Sequence, residues 1–213
     1  MPGIIELMKE HVYGLFDIPY VPEEILSAAR PLVLHISDTP AASYRFVFRL
    51  IQRIEPDYLI HTGDFVDDIK LENRPGQLVE YRGRLKKIFR RLEELPVGKI
   101  YLVPGNHDDL PTVDECTQRA EVLSEISVIE IDNIRLCVSH YYPEAETQIK
   151  EKVDYMLFGH NLVPDQQRGT TTALLNGIIA IHVLSTSTKR VYSLPYPSGT
   201  DSARKVLLPK VGL

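Results

Sequence analysis

Five short apolar runs in this chain each stop at a polar residue of the kind that binds metal ions. No other feature constrains the fold as much. Leu32-Val33-Leu34-His35-Ile36-Ser37 leads to Asp38, and Tyr58-Leu59-Ile60-His61-Thr62 leads to Gly63-Asp64. Ile100-Tyr101-Leu102-Val103 leads through Pro104-Gly105 to Asn106-His107-Asp108. Leu136-Cys137-Val138-Ser139 leads to His140, and Tyr155-Met156-Leu157-Phe158 leads to Gly159-His160. A short apolar run bounded by turn residues reads as a buried strand. Polar groups just past the carboxyl ends of such strands are where open α/β sheets build their sites.

Helical patterns fill the gaps between the runs. Ala41 to Ile54 carries Val47, Leu50, Ile51 and Ile54 on one stripe. Leu78 to Leu95 is the longest predicted helix, with Leu78, Tyr81, Leu85, Ile88, Phe89 and Leu92 inward. Its basic face, Arg82 to Arg91, reads as solvated surface paired with Glu80, Glu93 and Glu94. Thr112 to Leu123 is predicted as a shorter helix. Strands alternating with helices of this size indicate a layered α/β fold. Residues 1–30 read as a helical extension packed on a single domain at 31–213. The spacing of Ile4, Ile5, Met8 and Val12 predicts one short helix there, and Pro22-Glu23-Glu24 opens a second. After His160, Thr171–Leu175, Ile178–Leu184 and Val191–Leu194 are β-type runs. Asn176-Gly177 between the first two predicts a hairpin, and these antiparallel strands are expected to form a second sheet on the first. The tail after Pro195 is expected to be loosely ordered.

The totals remove several function classes. At 213 residues, 44% hydrophobic and 25% charged, one globular domain is the default. A net charge of −5 argues against a dedicated nucleic-acid or anionic-membrane surface. The tyrosines are too scattered for a base-stacking platform. Cys116 and Cys137 are isolated, which fits a reduced, cytoplasmic setting. Glu6, Lys9 and Glu10 interrupt the N-terminal apolar pattern, so it does not read as a signal peptide. No apolar run approaches the roughly 20 residues of a membrane span.

The strand-end residues are carboxylates, imidazoles and a carboxamide, a donor set that suits Mn, Fe, Zn or Ni. With no cysteine among them, the site reads as open and catalytic rather than structural. In order, Asp38-Thr39-Pro40, Gly63-Asp64-Phe65-Val66-Asp67, Gly105-Asn106-His107, Ser139-His140 and Gly159-His160-Asn161-Leu162 resemble the five signatures of the calcineurin-like metallophosphoesterases. Those signatures are D-x-H, G-D-x-x-D, G-N-H, a lone H and G-H-x-H. The resemblance runs from about Val33 to at least His160. It implies a four-layer α/β/β/α sandwich of two mixed β-sheets flanked by helices. It also implies metal-dependent hydrolysis of a small phosphomono- or phosphodiester by metal-activated water. His107 would contact the phosphate and protonate the leaving oxygen, while Asp67 and Asp108 would orient the ligand imidazoles or the loop.

Two signatures are broken. Pro40 stands where the first has its histidine, and Leu162 where the last has its second. In the family those histidines serve one metal, which here keeps Asp38 and the bridging Asp64. The other set, Asp64, Asn106, His140 and His160, is whole. One well-bound ion is therefore expected, with a second weak or absent, and reduced activity. The rival is a catalytically degenerate member that uses the fold to hold a partner. Other residues have plain readings. Asp38 at a strand end also suits a helix cap. His35 and His61 alternate away from the strand-end ligands and read as core histidines with satisfied nitrogens. His182 reads as structural and His11 as a surface residue. Lys70, Arg74 and the 68–77 loop follow a ligand-bearing strand and are candidates to line the cleft.

Overall fold

The structure, a computed structural model, describes residues 18–142, 152–162 and 172–204. The predicted helix over Ile4 to Val12, His11 with it, and Thr171 lie outside the described residues.

Two mixed sheets form the centre. The first runs β10-β9-β1-β2-β3-β4. In it β1 (Leu32–Ile36), β2 (Tyr58–His61), β3 (Lys99–Leu102) and the short β4 (Glu121–Val122) are parallel. β9 (Ile181–Ser185) and β10 (Arg190–Leu194) add an antiparallel edge beside β1. The second sheet runs β5-β6-β7-β8, from Ile126–Ile131, Ile134–Ser139, Tyr155–Phe158 and Ala173–Asn176. Here β5 and β6 are antiparallel, and β7 and β8 run parallel to β6.

The period-two pattern of the strands sorts residues between two cores. Leu32, Leu34, Ile36, Leu59, Ile100 and Leu102 face the helices, where α2 (Tyr44–Ile54) and α3 (Leu78–Glu93) lay down Val47, Leu50, Ile51, Tyr81, Leu85 and Phe89. Val33, Ile60, Tyr101 and Leu184 face the other way and meet Leu136, Val138, Tyr155 and Leu157 of the second sheet. The short α1 (Glu23–Leu26) seats Ile25 in the first core. The architecture is the two-sheet α/β sandwich that the resemblance implies, and β1, β2, β3, β6 and β7 each deliver their strand-end residues to one cleft.

Four local expectations change. Asn176-Gly177 does not make a hairpin: β8 pairs with β7 in the second sheet and β9 with β1 in the first. The turn carries the chain from one sheet to the other. Gly177 is needed because a Cβ would meet the His35 ring and Ser37 at 2.8–2.9 Å. The closing antiparallel strands β9 and β10 accordingly extend the first sheet. The helix predicted over 112–123 is α4 (Leu110–Cys116), capped where the Asp109 carboxylate accepts from Thr112 N–H at 3.0 Å. Beyond it, the N–H groups of Gln118, Arg119 and Ala120 all donate to Glu93 Oε1 at 3.0 Å, drawing the backbone off the helix. The tail is ordered through α5 (Thr200–Arg204), and the Arg204 side chain is fully buried.

Candidate metal centre

The turns that carry the site are strained and tightly packed. Asp38, Asp64 and His160 have φ of 49°, 55° and 65°. Such left-handed conformations cost a non-glycine residue of order 1–3 kcal/mol and gather at functional sites. Gly63, at φ 98°, precedes Asp64, and a Cβ there would meet His140 Nδ1 and the Gly105 backbone. A Cβ on Gly159 would collide with Ser37 and the Asp38 carboxylate.

Hydrogen bonds tie these turns to one another. Asp38 N–H donates to Gly63 O at 2.9 Å, and Thr39 N–H to Asp64 O at 3.0 Å. His160 N–H donates to Asp38 Oδ2 at 3.0 Å, and His107 N–H to Asp64 Oδ1 at 3.0 Å. The Asp108 carboxylate accepts from the N–H groups of Asp64, Phe65 and Gly105 at 2.7, 2.9 and 2.8 Å, and from the Tyr81 hydroxyl at 2.8 Å. It joins the second and third turns through these bonds.

Electron-pair donors converge on one side of the cleft. Asp64, His140 and His160 each bring a ligand atom within 4.8 Å of the others. His140 Nδ1 lies 2.7 Å from Thr62 O, which can only accept. The ring proton is therefore on Nδ1, and Nε2 presents a lone pair. That Nε2 faces His160 Nδ1 at 3.2 Å, Asn106 Oδ1 at 3.1 Å and Asp64 Oδ2 at 3.7 Å. The Asn106 amide is oriented by Glu72, whose Oε2 accepts from Nδ2 at 2.5 Å. One proton on His160 Nδ1 would satisfy the imidazole pair, but it leaves two oxygens pointed at a lone pair. A cation satisfies all four, so the residues present fit a bound divalent metal. Without that positive charge, burial first and the Asp38 charge second hold the Asp64 carboxyl well above the usual carboxylate range. Burial, then His140, pulls His160 down.

The other side is made of carboxylates. Asp38, Asp64 and Asp67 are buried with ligand atoms within 4.8 Å of one another. Burial first and Asp38 second push Asp67 up to about 7. Asp67 contacts Lys70 Nζ, and its N–H donates to Thr39 O at 3.2 Å, which draws it to the Asp38 turn. It thus stands with Asp38 and Lys70 rather than against a ligand imidazole. Pro40 offers no donor here, and Leu162 is 45% exposed. His107 sits at the mouth, 9% exposed, with Nδ1 3.2 Å from the Asn106 amide nitrogen and 3.8 Å from Glu72 Oε2. Burial, then the Lys70 charge, lowers it to about 4.

His35 and His61 stay out of the cluster, though their nitrogens are only half satisfied. His35 Nε2 lies 2.9 Å from Thr62 Oγ1, and His61 Nε2 lies 3.2 Å from the Tyr44 hydroxyl, yet Nδ1 of each is buried without a partner. Burial keeps both rings neutral, pulling His61 down to about 3 and His35 well below its ordinary value. His182 is bonded on both sides, to Ser193 Oγ at 3.2 Å and Asn176 O at 3.1 Å.

Sequence reasoning named the 68–77 loop as cleft lining but not Glu72 within it, and it missed Tyr141 and Arg204. Glu72 orients Asn106, and Tyr141 lies with its ring centroid 4.5 Å from that of His160. Arg204 reaches under the first turn, where Nε donates to Asp38 O at 2.6 Å and Nη2 to Ser37 O at 3.3 Å. Tyr141 follows His140 directly but is not of a metal-binding type, and Arg204 comes from a stretch rich in turn residues, so the donor pattern marks neither.

Comparisons with known proteins agree with the fold. No curated protein matches the chain by sequence. Among solved structures, an archaeal phosphodiesterase aligns at 16% identity with a TM-score of 0.58, covering 77% of this chain and 99% of its own. Yfce, a phosphoesterase from E. coli, aligns at 13% identity with a TM-score of 0.50, covering 78% and 99%. At such identities these likenesses carry the fold alone. The sequence model of the calcineurin-like phosphoesterases matches residues 31–145, more than half of the chain, and this chain belongs to that family.

Proposed function

We propose that the chain is a metal-dependent phosphoesterase acting on a small phosphomono- or phosphodiester through one complete metal site. Asp64, Asn106, His140 and His160 would hold the ion, with Mn, Fe, Zn and Ni all compatible with the donors. When bound, a divalent ion supplies acidity to a coordinated water and polarises a phosphoryl oxygen. The observation that carries the reading is the fixed tautomer of His140. Its lone pair is aimed at the same space as an amide oxygen, a carboxylate and a second imidazole.

The protein's own groups do the rest. Glu72 keeps the Asn106 oxygen turned inward, and Thr62 O keeps the His140 proton away from the site. His107 meets substrate as a neutral imidazole, because burial and Lys70 lower its proton affinity. An anionic phosphoester beside it reverses that shift and lets His107 hold a proton for the leaving oxygen. With Pro40 and Leu162 in place of two histidines, charge stabilisation on the far side is weaker than in a two-metal site. A rate lower by two or three orders of magnitude corresponds to about 3–4 kcal/mol of barrier. The same two substitutions favour a second reading, a catalytically degenerate member that holds a partner.

The test is hydrolysis of an aryl phosphodiester by chelator-stripped protein before and after adding Mn(II). Activity that appears with the metal and vanishes in His107→Ala supports the phosphoesterase. A metal-loaded protein with no turnover on aryl phosphomono- and diesters supports the partner-holding reading.

A further inference from the structure

The carboxylate side of the cleft raises a question of charge. Asp38, Asp64 and Asp67 bring three buried acids together, and the histidines that would help a second metal neutralise them are absent. Uncompensated, buried like charges of this kind are costly. Two cationic side chains stand where compensation is needed. Lys70 leaves the loop after β2, keeps a quarter of its side chain exposed, and places its ammonium on Asp67. Its charge, after burial, helps to lower His107. Arg204 is fully buried beneath the same turn, with its guanidinium on the Ser37 and Asp38 carbonyls and over the Tyr196 ring at 4.4 Å. Arg204 is already paired, through Nη1 with Asp201 Oδ1 at 2.9 Å, which leaves Lys70 as the cation in contact with the cluster. Arg204 is fixed in the wall, whereas Lys70 is partly exposed beside Asp67, a neighbour of Asp38 and Asp64.

We propose that the Lys70 ammonium, seated on Asp67 beside Asp38 and Asp64, takes the place of a second metal ion as a built-in cation facing the substrate phosphate. This rests on the single-metal reading above and extends it to the half of the cleft that has lost its imidazoles. A lysine is suited to the task as a compact point charge with three rotatable donors. An ammonium contacts one phosphate oxygen without needing ligands of its own, so Lys70 can serve the half of the cleft that lacks the two histidines.

The experiment is a Mn(II) titration by calorimetry and elemental analysis on the wild type, Lys70→Met, Lys70→Gln and Lys70→Arg, each checked for folding by circular dichroism. Affinity for inorganic phosphate is measured on the same samples. The expected result is one ion in the wild type and in Lys70→Arg. Lys70→Met and Lys70→Gln should gain a second ion at least tenfold tighter than any second ion in the wild type. Before that second ion is added, both should bind phosphate at least tenfold more weakly. One ion and unchanged phosphate affinity in every variant would overturn the role of Lys70 and leave the single-metal reading standing. Two tight ions in the wild type would overturn both, as would no ion in any form.

Discussion

The two halves of the cleft share Asp64 and differ in nearly everything else. On one side an imidazole nitrogen with a fixed lone pair, a second imidazole and an oriented amide oxygen converge with it. On the other, Asp64 meets two further carboxylates, and the positive charge comes from Lys70 and Arg204. The backbone does not share this asymmetry, because Asp38 is held in the same left-handed conformation as Asp64 and His160. The scaffold of both halves is intact, and only the donor chemistry of one has changed. The Asp38 turn is strained although its half lacks a full ligand set, and it also serves the complete half. It does so directly, through the hydrogen bond from His160 N–H to Asp38 Oδ2.

The contrast breaks most visibly by truncating one residue on each side. His140→Ala should release the metal and lower activity by about a thousandfold or more, near 4 kcal/mol at roughly 1.4 kcal/mol per tenfold. Asp38→Ala should keep the ion and lose less than about tenfold. Elemental analysis and steady-state rates on both variants decide it, and equal metal loss would erase the distinction between the halves.

Asp67 sharpens the comparison through pH. Its carboxyl is raised from 3.8 to about 7, so between those values the native chain binds a proton that the unfolded chain does not. The ionised carboxylate therefore costs stability above about pH 7, and that cost fades as pH falls toward 4. Asp67→Asn should stabilise the metal-free protein at pH 8 by about 2–4 kcal/mol and change little at pH 4.5, as read from urea unfolding. One bound Mn(II) should leave most of that difference in place. If it abolished the difference, Asp67 would belong with the metal ligands.

A smaller gain is expected from restoring the lost histidines. Pro40→His with Leu162→His should add a second ion and raise aryl phosphodiesterase activity by ten- to a hundredfold, about 1.4–2.7 kcal/mol. No gain in either would mean that Lys70 or the turn itself bars the second berth.

What the sequence revealed of this site was local. An apolar run followed by a turn and a polar side chain is written in adjacent residues, so Asp38, Asp64, Asn106, His107, His140 and His160 stand out as candidates, and the family resemblance sorts Asp64, Asn106, His140 and His160 into one set. What it concealed depended on distant partners. Asn176-Gly177 has the composition of a hairpin, yet Gly177 is there for the close approach of His35, more than a hundred residues earlier. The Thr112 helix ends because Glu93 captures three backbone N–H groups from another helix. Asp67 carries the spacing of a family signature, and only its contacts with Lys70 and the Asp38 turn reveal which side of the cleft it serves. Arg204 follows a Pro-Ser-Gly stretch that gives no hint of a buried cation.

The most direct measurement is the anomalous scattering of crystals grown with excess Mn(II), collected at the manganese edge. One peak per chain, bounded by Asp64, Asn106, His140 and His160 with Lys70 still on Asp67, is the predicted result. Two peaks of equal height bridged by Asp64, with Lys70 turned away, would contradict it.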